Sequence, residues 1–132
     1  MNIEHVFPMG WAVREIDCGD RDRCRRTSER FNAVESDMHN LFPARKDVNR
    51  ARGAYRFGEI RGERWYIAGC DVEIDDRARV VEPRPEVRGD IARAMLYMEA
   101  HHDLPLFRKT RALMEAWHRE DPPSAEERRR ND

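Results

Sequence analysis

The chain has 132 residues, of which 39% are charged and 39% hydrophobic, and its formal net charge is −1. That length suits one domain with a modest core, the apolar share argues against disorder, and the near-neutral balance argues against a wholesale basic nucleic-acid binder. No apolar run approaches the roughly 20 residues that cross a bilayer, and the N-terminus lacks the features of a secretory signal.

The chain opens with a predicted short strand. The apolar residues of IEHVFP, residues 3–8, favour extended backbone, and the proline ends the strand or keeps it at an edge. Glu4 and His5 are adjacent in this strand. Taken alone, such a pair is more often an exposed polar step than a catalytic one.

A long polar segment follows the strand. Residues 9–36 carry too few apolar positions to contribute to a core, and only their end, about Thr27 to Glu35, is expected to form a short helix. Cys18 and Cys24 flank a short polar stretch and could close a small loop. A zinc site is the alternative, although four ligands at finger-like spacing are missing, and the state of Cys70 is left open.

Cationic side chains are concentrated between residues 14 and 56. Such a cluster can pair with phosphates and would make binding salt-dependent. The alternative is a solvated face, because acidic residues are interleaved. The cationic residues are Arg14, Arg21, Arg23, Arg25, Arg26, Arg30, Arg45, Lys46, Arg50, Arg52 and Arg56.

The sequence of the middle of the chain predicts one strand before a short helix and three candidate strands after it. MHNLFPA, residues 38–44, is expected to form a strand ended by Pro43, and residues 44–53 a short helix stopped by Gly53. Residues 58–82 predict β structure. The candidate strands there are RWYIAG (64–69), CDVEID (70–75) and RVVEP (79–83).

The last third of the chain predicts helices. Apolar residues recur at helical spacing from residue 86, and a second helical pattern runs from about Phe107 to Arg119. Ser124 and Glu127 stand in a capping-box arrangement that would begin a third, short helix. The whole pattern predicts an α+β fold.

Three blocks of sequence together resemble the bacterial endonuclease I family of periplasmic and secreted nucleases. They are EHVFP (4–8), SDMHNLFPARKDVNRARGAYRFGE (36–59) and RGDIARAMLYMEA (88–100), and the last 20 residues also look like that family's final helices. The resemblance implies a ββα-metal, or His-Me finger, nuclease core in which two strands and a helix surround one divalent ion. A small β-sheet and C-terminal helices would complete the fold.

The resemblance also implies roles for individual residues. His5 matches the general base that activates water, and Glu4 and Asn49 match the two metal ligands. Arg21 matches the arginine that stabilises the transition state, with Arg23 as its rival. These residue types suit the chemistry, because imidazole accepts a proton near neutral pH, oxygen ligands suit Mg²⁺, and guanidinium binds phosphate.

The activity that the resemblance implies is Mg²⁺-dependent, largely sequence-nonspecific endonuclease cleavage of DNA, with RNA as a second substrate and 5′-phosphate ends as products. The family implies a periplasmic or secreted location, no membrane partner, a monomer and a Cys18–Cys24 disulfide. Residues 1–132 would form one nuclease domain that lacks the family's N-terminal and extreme C-terminal segments. The alternative is a truncated, inactive nuclease-like domain that binds nucleic acid or a partner.

Strand geometry adds a condition to this site. Neighbouring side chains on a regular strand point to opposite faces, so Glu4 and His5 can serve one phosphate only if the strand twists, bulges or ends there. Asn49 would then approach from the following helix, and Glu4 and Asn49 are expected to converge on one ion position. His39, in MHN, is expected to brace its strand by hydrogen bonding.

Overall fold

The computed structural model describes residues 2–62 and 71–130, which form short strands and mostly short helices. The predicted α+β class is confirmed. In chain order the elements are β1 (Asn2–His5), α1 (Met9–Ile16), α2 (Arg21–Thr27), α3 (Glu29–Glu35), β2 (Leu41–Ala44), α4 (Lys46–Arg52), β3 (Arg56–Phe57), β4 (Glu73–Asp75), β5 (Val80–Glu82), α5 (Arg88–His102), α6 (Arg108–Glu120) and α7 (Ala125–Arg130).

The described strands form two small sheets. β1 and β2 are antiparallel, with Glu4 opposite Phe42 and His5 opposite Leu41. In the second sheet β5 lies between β3, which is parallel to it, and β4, which is antiparallel. The predicted strands around β4 and β5 are thus confirmed, whereas the predicted strand at 64–69 and Cys70 lie outside the described residues.

The prediction that residues 9–36 stay out of the core is wrong. The short helix predicted at the end of this segment is confirmed as α3. The segment folds as α1, α2 and α3, and the side chains of Asp20 and Ser28 accept hydrogen bonds at the starts of α2 and α3. Each helix is short, so one or two apolar side chains suffice to anchor it. The anchoring residues are Met9, Ala12, Cys24, Phe31 and Val34, all buried.

The second predicted strand is shorter than expected at its beginning. Residues Met38–Asn40 form a 3₁₀ turn, and β2 then runs through Pro43 instead of ending at it. A proline is tolerated there because β1 and β2 form a two-stranded sheet, which leaves one edge of each strand unpaired. The helix that follows, α4, ends at Gly53 as predicted, with the glycine at φ 55°.

A disulfide joins Cys18 and Cys24, with their Cα atoms 5.1 Å apart, as expected. It joins the turn that follows α1 to the middle of α2. Because both thiols are consumed, they cannot serve as zinc ligands, and the cysteine-based zinc site is wrong.

We expect loss of this disulfide to lower the free energy of unfolding by about 2 kcal/mol, the entropic effect of opening so short a loop. The test compares urea unfolding of the oxidised chain with that of a Cys18→Ala/Cys24→Ala variant. Equal midpoints and slopes would show that the bridge does not constrain the unfolded chain.

The two longest helices pack against each other and carry much of the core. Met95 and Met98 of α5 and Met114 and Trp117 of α6 are fully buried. Gly89 permits this approach, because a Cβ atom there would lie 1.9 Å from the Asp121 carbonyl oxygen. The predicted helices at 86 onwards and 107–119 are therefore confirmed, and RGD is the first turn of α5.

The third predicted C-terminal helix, α7, is also confirmed. The backbone N–H of Glu127 donates to Ser124 Oγ at 3.1 Å, which satisfies one end of the capping box. The Glu127 carboxylate instead pairs with Arg93 of α5, with Arg93 Nη2 donating to Oε1 at 2.7 Å. Within the described part of the chain, the search for a helix of membrane-spanning length and hydrophobicity finds none.

Candidate active site

The strand that carries Glu4 and His5 ends at His5, and the chain bends at Val6 and Phe7. Asn40, which is fully buried, holds this bend. Its carbonyl accepts from Val6 N at 3.0 Å, its side-chain Oδ1 accepts from Phe7 N at 2.6 Å, and its Nδ2 donates to the Phe7 carbonyl at 3.0 Å. β1 therefore ends at His5, which meets the condition under which Glu4 and His5 can serve one site.

The His5 ring is oriented by the end of α3. Its Nε2 lies 2.9 Å from the carbonyl oxygen of Glu35. A carbonyl can only accept, so Nε2 carries the hydrogen and donates it. In the neutral ring Nδ1 is then the nitrogen with the free lone pair.

The carboxylate of Glu35 binds two arginines of α2. Arg21 Nε donates to Oε2 at 2.7 Å, and Arg25 Nε donates to Oε1 at 2.8 Å. The hydrogen bond from Arg25 lowers the pKa of Glu35; burial opposes this shift, and Arg21 adds to it. The structure thus brings His5 and Arg21 to the same residue, whereas Arg23 lies beside Cys18 and the turn that follows it.

Glu4 pairs with a buried arginine of α4. Arg52 Nη1 donates to Glu4 Oε1 at 2.8 Å, and the Arg52 side chain is only 2% exposed. The same guanidinium donates to the carbonyls of His5, Val6 and Tyr55. Burial lowers the pKa of Arg52 and Glu4 opposes that shift. The pair fixes α4 against the end of β1.

Asn49 lies on α4 one turn before Arg52, at the i, i+3 spacing that places two side chains on neighbouring positions of a helix. It is half-buried. Within residues 2–62 and 71–130, neither its side-chain amide nor Glu4 Oε2 makes a hydrogen bond. Carboxylate and amide oxygens without partners fit a hard divalent ion such as Mg²⁺, and their convergence on one ion stays a prediction.

Sequence reasoning missed three residues that organise this arrangement. Arg52 belongs to the cationic cluster for which the sequence leaves phosphate binding and a solvated face open, although its spacing from Asn49 is a usable signal. Asn40 reads in the sequence as an ordinary polar residue of the predicted strand 38–44, although asparagine side chains commonly bond to backbone. Glu35 acts on His5 through its backbone carbonyl, and no sequence signal reports that contact.

Replacement of Asn40 by alanine is expected to lower the free energy of unfolding by about 2–3 kcal/mol, because Phe7 would keep a buried N–H and a buried carbonyl without partners. Urea unfolding measures the loss, with Asn32→Ala, an exposed amide on α3, as the matched control. A loss no larger than that of the control would contradict the role of Asn40 in holding the bend at Val6 and Phe7.

Glu35→Gln is expected to destabilise the chain by about 1 kcal/mol at pH 7, since the arginines it binds are half exposed. The folded pKa of Glu35 is lowered, so this stabilisation is present above its ordinary pKa and is lost as the pH falls through the folded value. Unfolding curves of the two proteins should therefore converge in acid. A difference that persists when Glu35 is protonated would contradict the prediction.

Comparison with known proteins places this arrangement in context. The model of a family described as Endonuclease I matches residues 1–132. A periplasmic deoxyribonuclease of Aeromonas hydrophila is 41% identical over 132 aligned residues, 97% of this chain and 55% of the relative. An endonuclease-1 of Buchnera aphidicola is 31% identical over 86% of this chain and 46% of its own.

A third relative has a different printed activity. An extracellular ribonuclease of Bacillus subtilis is 32% identical over 99% of this chain and 45% of its own length. The chain thus spans about half the length of the relatives it matches, 45–55% in these three.

Proposed function

Because the chain belongs to the endonuclease I family, we propose that it is a divalent-metal-dependent endonuclease that hydrolyses the phosphodiester bonds of DNA with little sequence preference. The observation that carries this proposal is the orientation of His5, whose Nε2–H is held by the Glu35 carbonyl at 2.9 Å. A fixed tautomer leaves one defined nitrogen, Nδ1, to act as a base.

His5 Nδ1 takes the proton of a water molecule as that water attacks phosphorus. The bond from water oxygen to phosphorus forms, and the bond from phosphorus to the 3′ oxygen breaks. A second water molecule gives a proton to the leaving oxygen, so the products are a 5′-phosphate and a 3′-hydroxyl.

Glu4 and Asn49 are the residues that would hold the metal ion, through carboxylate and amide oxygens. When bound, Mg²⁺ supplies positive charge against the phosphate and the leaving oxygen. Arg52 serves this site indirectly, because its hydrogen bond to Oε1 fixes the Glu4 carboxylate and leaves Oε2 without a partner among the described residues.

Arg21 is the proposed phosphate-binding residue. Its Nε is held by Glu35, while its terminal amino groups make no hydrogen bond in the described part of the chain, and its side chain is 47% exposed. A guanidinium held at one nitrogen and free at the others can contact the charged transition state. Arg23 remains the rival, and exchanging each for lysine in turn distinguishes them.

The proposed substrate is DNA, with RNA as a second substrate. Phosphate contacts position a protein without reading bases, and the exposed members of the cationic cluster of residues 14–56, all except buried Arg52, offer such contacts. Two relatives are named as a deoxyribonuclease and a ribonuclease. A periplasmic or extracellular location accords with the relatives' names and with the Cys18–Cys24 disulfide, and we propose a monomer.

The experiment is nicking of supercoiled plasmid by the oxidised chain in Mg²⁺, with a chelated sample as control. DNA ligase is then added, because it reseals only nicks that carry a 5′-phosphate and a 3′-hydroxyl. Mg²⁺-dependent nicks that ligase reseals support the proposal. Salt-sensitive DNA binding without any cleavage would overturn it and favour a binding domain.

A further inference from the structure

A cluster of aromatic and ionisable side chains lies where the turn after α3 meets the last turn of α5. Asp37 begins the 3₁₀ turn that follows α3, and His101 and His102 are the last two residues of α5. One ligand atom from each of the three lies within 4.8 Å of the others. Two imidazoles and a carboxylate form a donor set that proteins use for transition metals.

The Asp37 carboxylate is held in place from several sides. Its Oδ2 accepts from Tyr97 Oη at 2.8 Å and from His102 Nε2 at 2.7 Å, and its Oδ1 accepts from the His39 backbone at 3.0 Å. Burial raises its pKa, but the hydrogen bonds from His102, His39 and Tyr97 together lower it to about 2. The carboxylate is therefore ionised and oriented at any physiological pH.

The histidines of the cluster are positioned by stacking. The Tyr97 ring stacks nearly parallel on the His101 ring, with centroids 5.0 Å apart. The ring of His39 also packs against Tyr97, with centroids 4.6 Å apart. The side chain of His102 is 11% exposed, whereas His101 is exposed. The site is thus built from two half-buried groups that are hydrogen-bonded to each other, Asp37 and His102, and from His101, an exposed ring that rests against Tyr97.

We propose that Asp37, His101 and His102 form a second metal site, which takes a borderline divalent transition ion such as Zn²⁺. This ion prefers imidazole ligands at about 2.0–2.1 Å, so two ligand atoms on a tetrahedral ion lie roughly 3.4 Å apart. The ligand atoms reach that spacing when His101 swings inward and His102 Nε2 gives up its hydrogen bond to Asp37. Helix position favours the cation, because the last turn of α5 is its negative end.

The donor sets separate this site from the one proposed for catalysis. Glu4 and Asn49 offer only oxygen, which suits Mg²⁺, whereas His101 and His102 offer nitrogen, which suits Zn²⁺. An ion at the second site would tie the connection after α3 to the end of α5. We therefore expect Zn²⁺ to raise the thermal unfolding midpoint of the wild-type chain.

The test is calorimetric titration of Zn²⁺ into the metal-stripped, oxidised full chain. His101→Gln is the principal variant, because His101 is exposed and its loss leaves the Asp37–His102 and Asp37–Tyr97 hydrogen bonds in place. His118→Gln, which changes an exposed histidine of α6, is the matched control. Glu4→Gln removes the catalytic carboxylate.

The proposal requires one Zn²⁺ binding event per chain that His101→Gln weakens at least about tenfold and that His118→Gln and Glu4→Gln leave unchanged. The zinc-induced rise in thermal midpoint should disappear in His101→Gln alone. No zinc binding in the wild-type chain, equal affinity in His101→Gln, or binding lost only in Glu4→Gln would each overturn it.

Discussion

Replacement of His5 by alanine is expected to lower the rate of plasmid nicking in Mg²⁺ by about 100- to 10,000-fold, the usual contribution of a general base. The fold should survive, because the change removes one half-buried hydrogen bond, to the Glu35 carbonyl, worth about 1 kcal/mol. Initial rates of conversion from supercoiled to open-circular plasmid measure the effect under single-turnover conditions.

His118→Ala is the matched control for that measurement, because His118 is exposed on α6. Its rate should equal that of the wild-type chain. If His5→Ala and wild type nick equally fast, His5 is not the base. Circular dichroism of both variants ensures that rates are compared between folded proteins.

Replacement of Arg52 by methionine is expected to lower the free energy of unfolding by about 3–5 kcal/mol, as for other broken buried ion pairs. Methionine fills similar space, but it leaves Glu4 and the carbonyls of His5, Val6 and Tyr55 without their donor. It also removes the guanidinium that lies 4.0 Å from the Phe57 ring centroid.

Arg50→Met is the control for this change, because Arg50 is exposed on the same helix and should change the stability by less than about 0.5 kcal/mol. Adding Glu4→Gln to the Arg52→Met variant should recover part of the loss, since it removes the uncompensated charge. Urea unfolding of the four proteins gives the values. Similar losses for Arg52→Met and Arg50→Met would contradict the buried role of Arg52.

The helices that could be predicted from sequence carry strong local signals. Gly53 marks the end of α4, Ser124 caps α7, and the apolar spacing of α5 and α6 runs for several turns. The helices α1 and α2 lack such signals, because they are only eight and seven residues long and α2 buries a single residue, Cys24, among arginines. They pack chiefly on α3 and on each other, and these contacts become apparent only in the folded chain.

Part of the candidate site could also be predicted from a local sequence signal. Glu4 and His5 are adjacent in sequence, so a motif can specify them, and their chemistry follows from residue type. Arg52 lies 48 residues from Glu4, and its formal charge suggests a solvated surface until the fold provides a partner. The contact of His5 with Glu35 involves a backbone carbonyl, which every residue has, so residue identity does not report it.

The central claim is that oxygen atoms of Glu4 and Asn49 hold one catalytic divalent ion. Its most direct test is the nicking rate as a function of free Mg²⁺ for the wild-type chain, Glu4→Gln and Asn49→Ala. Wild-type nicking should stop in chelator and return with Mg²⁺, and both variants should need at least about tenfold more Mg²⁺ for half-maximal rate. Nicking that persists in chelator, or the same Mg²⁺ requirement in all three proteins, would contradict the claim.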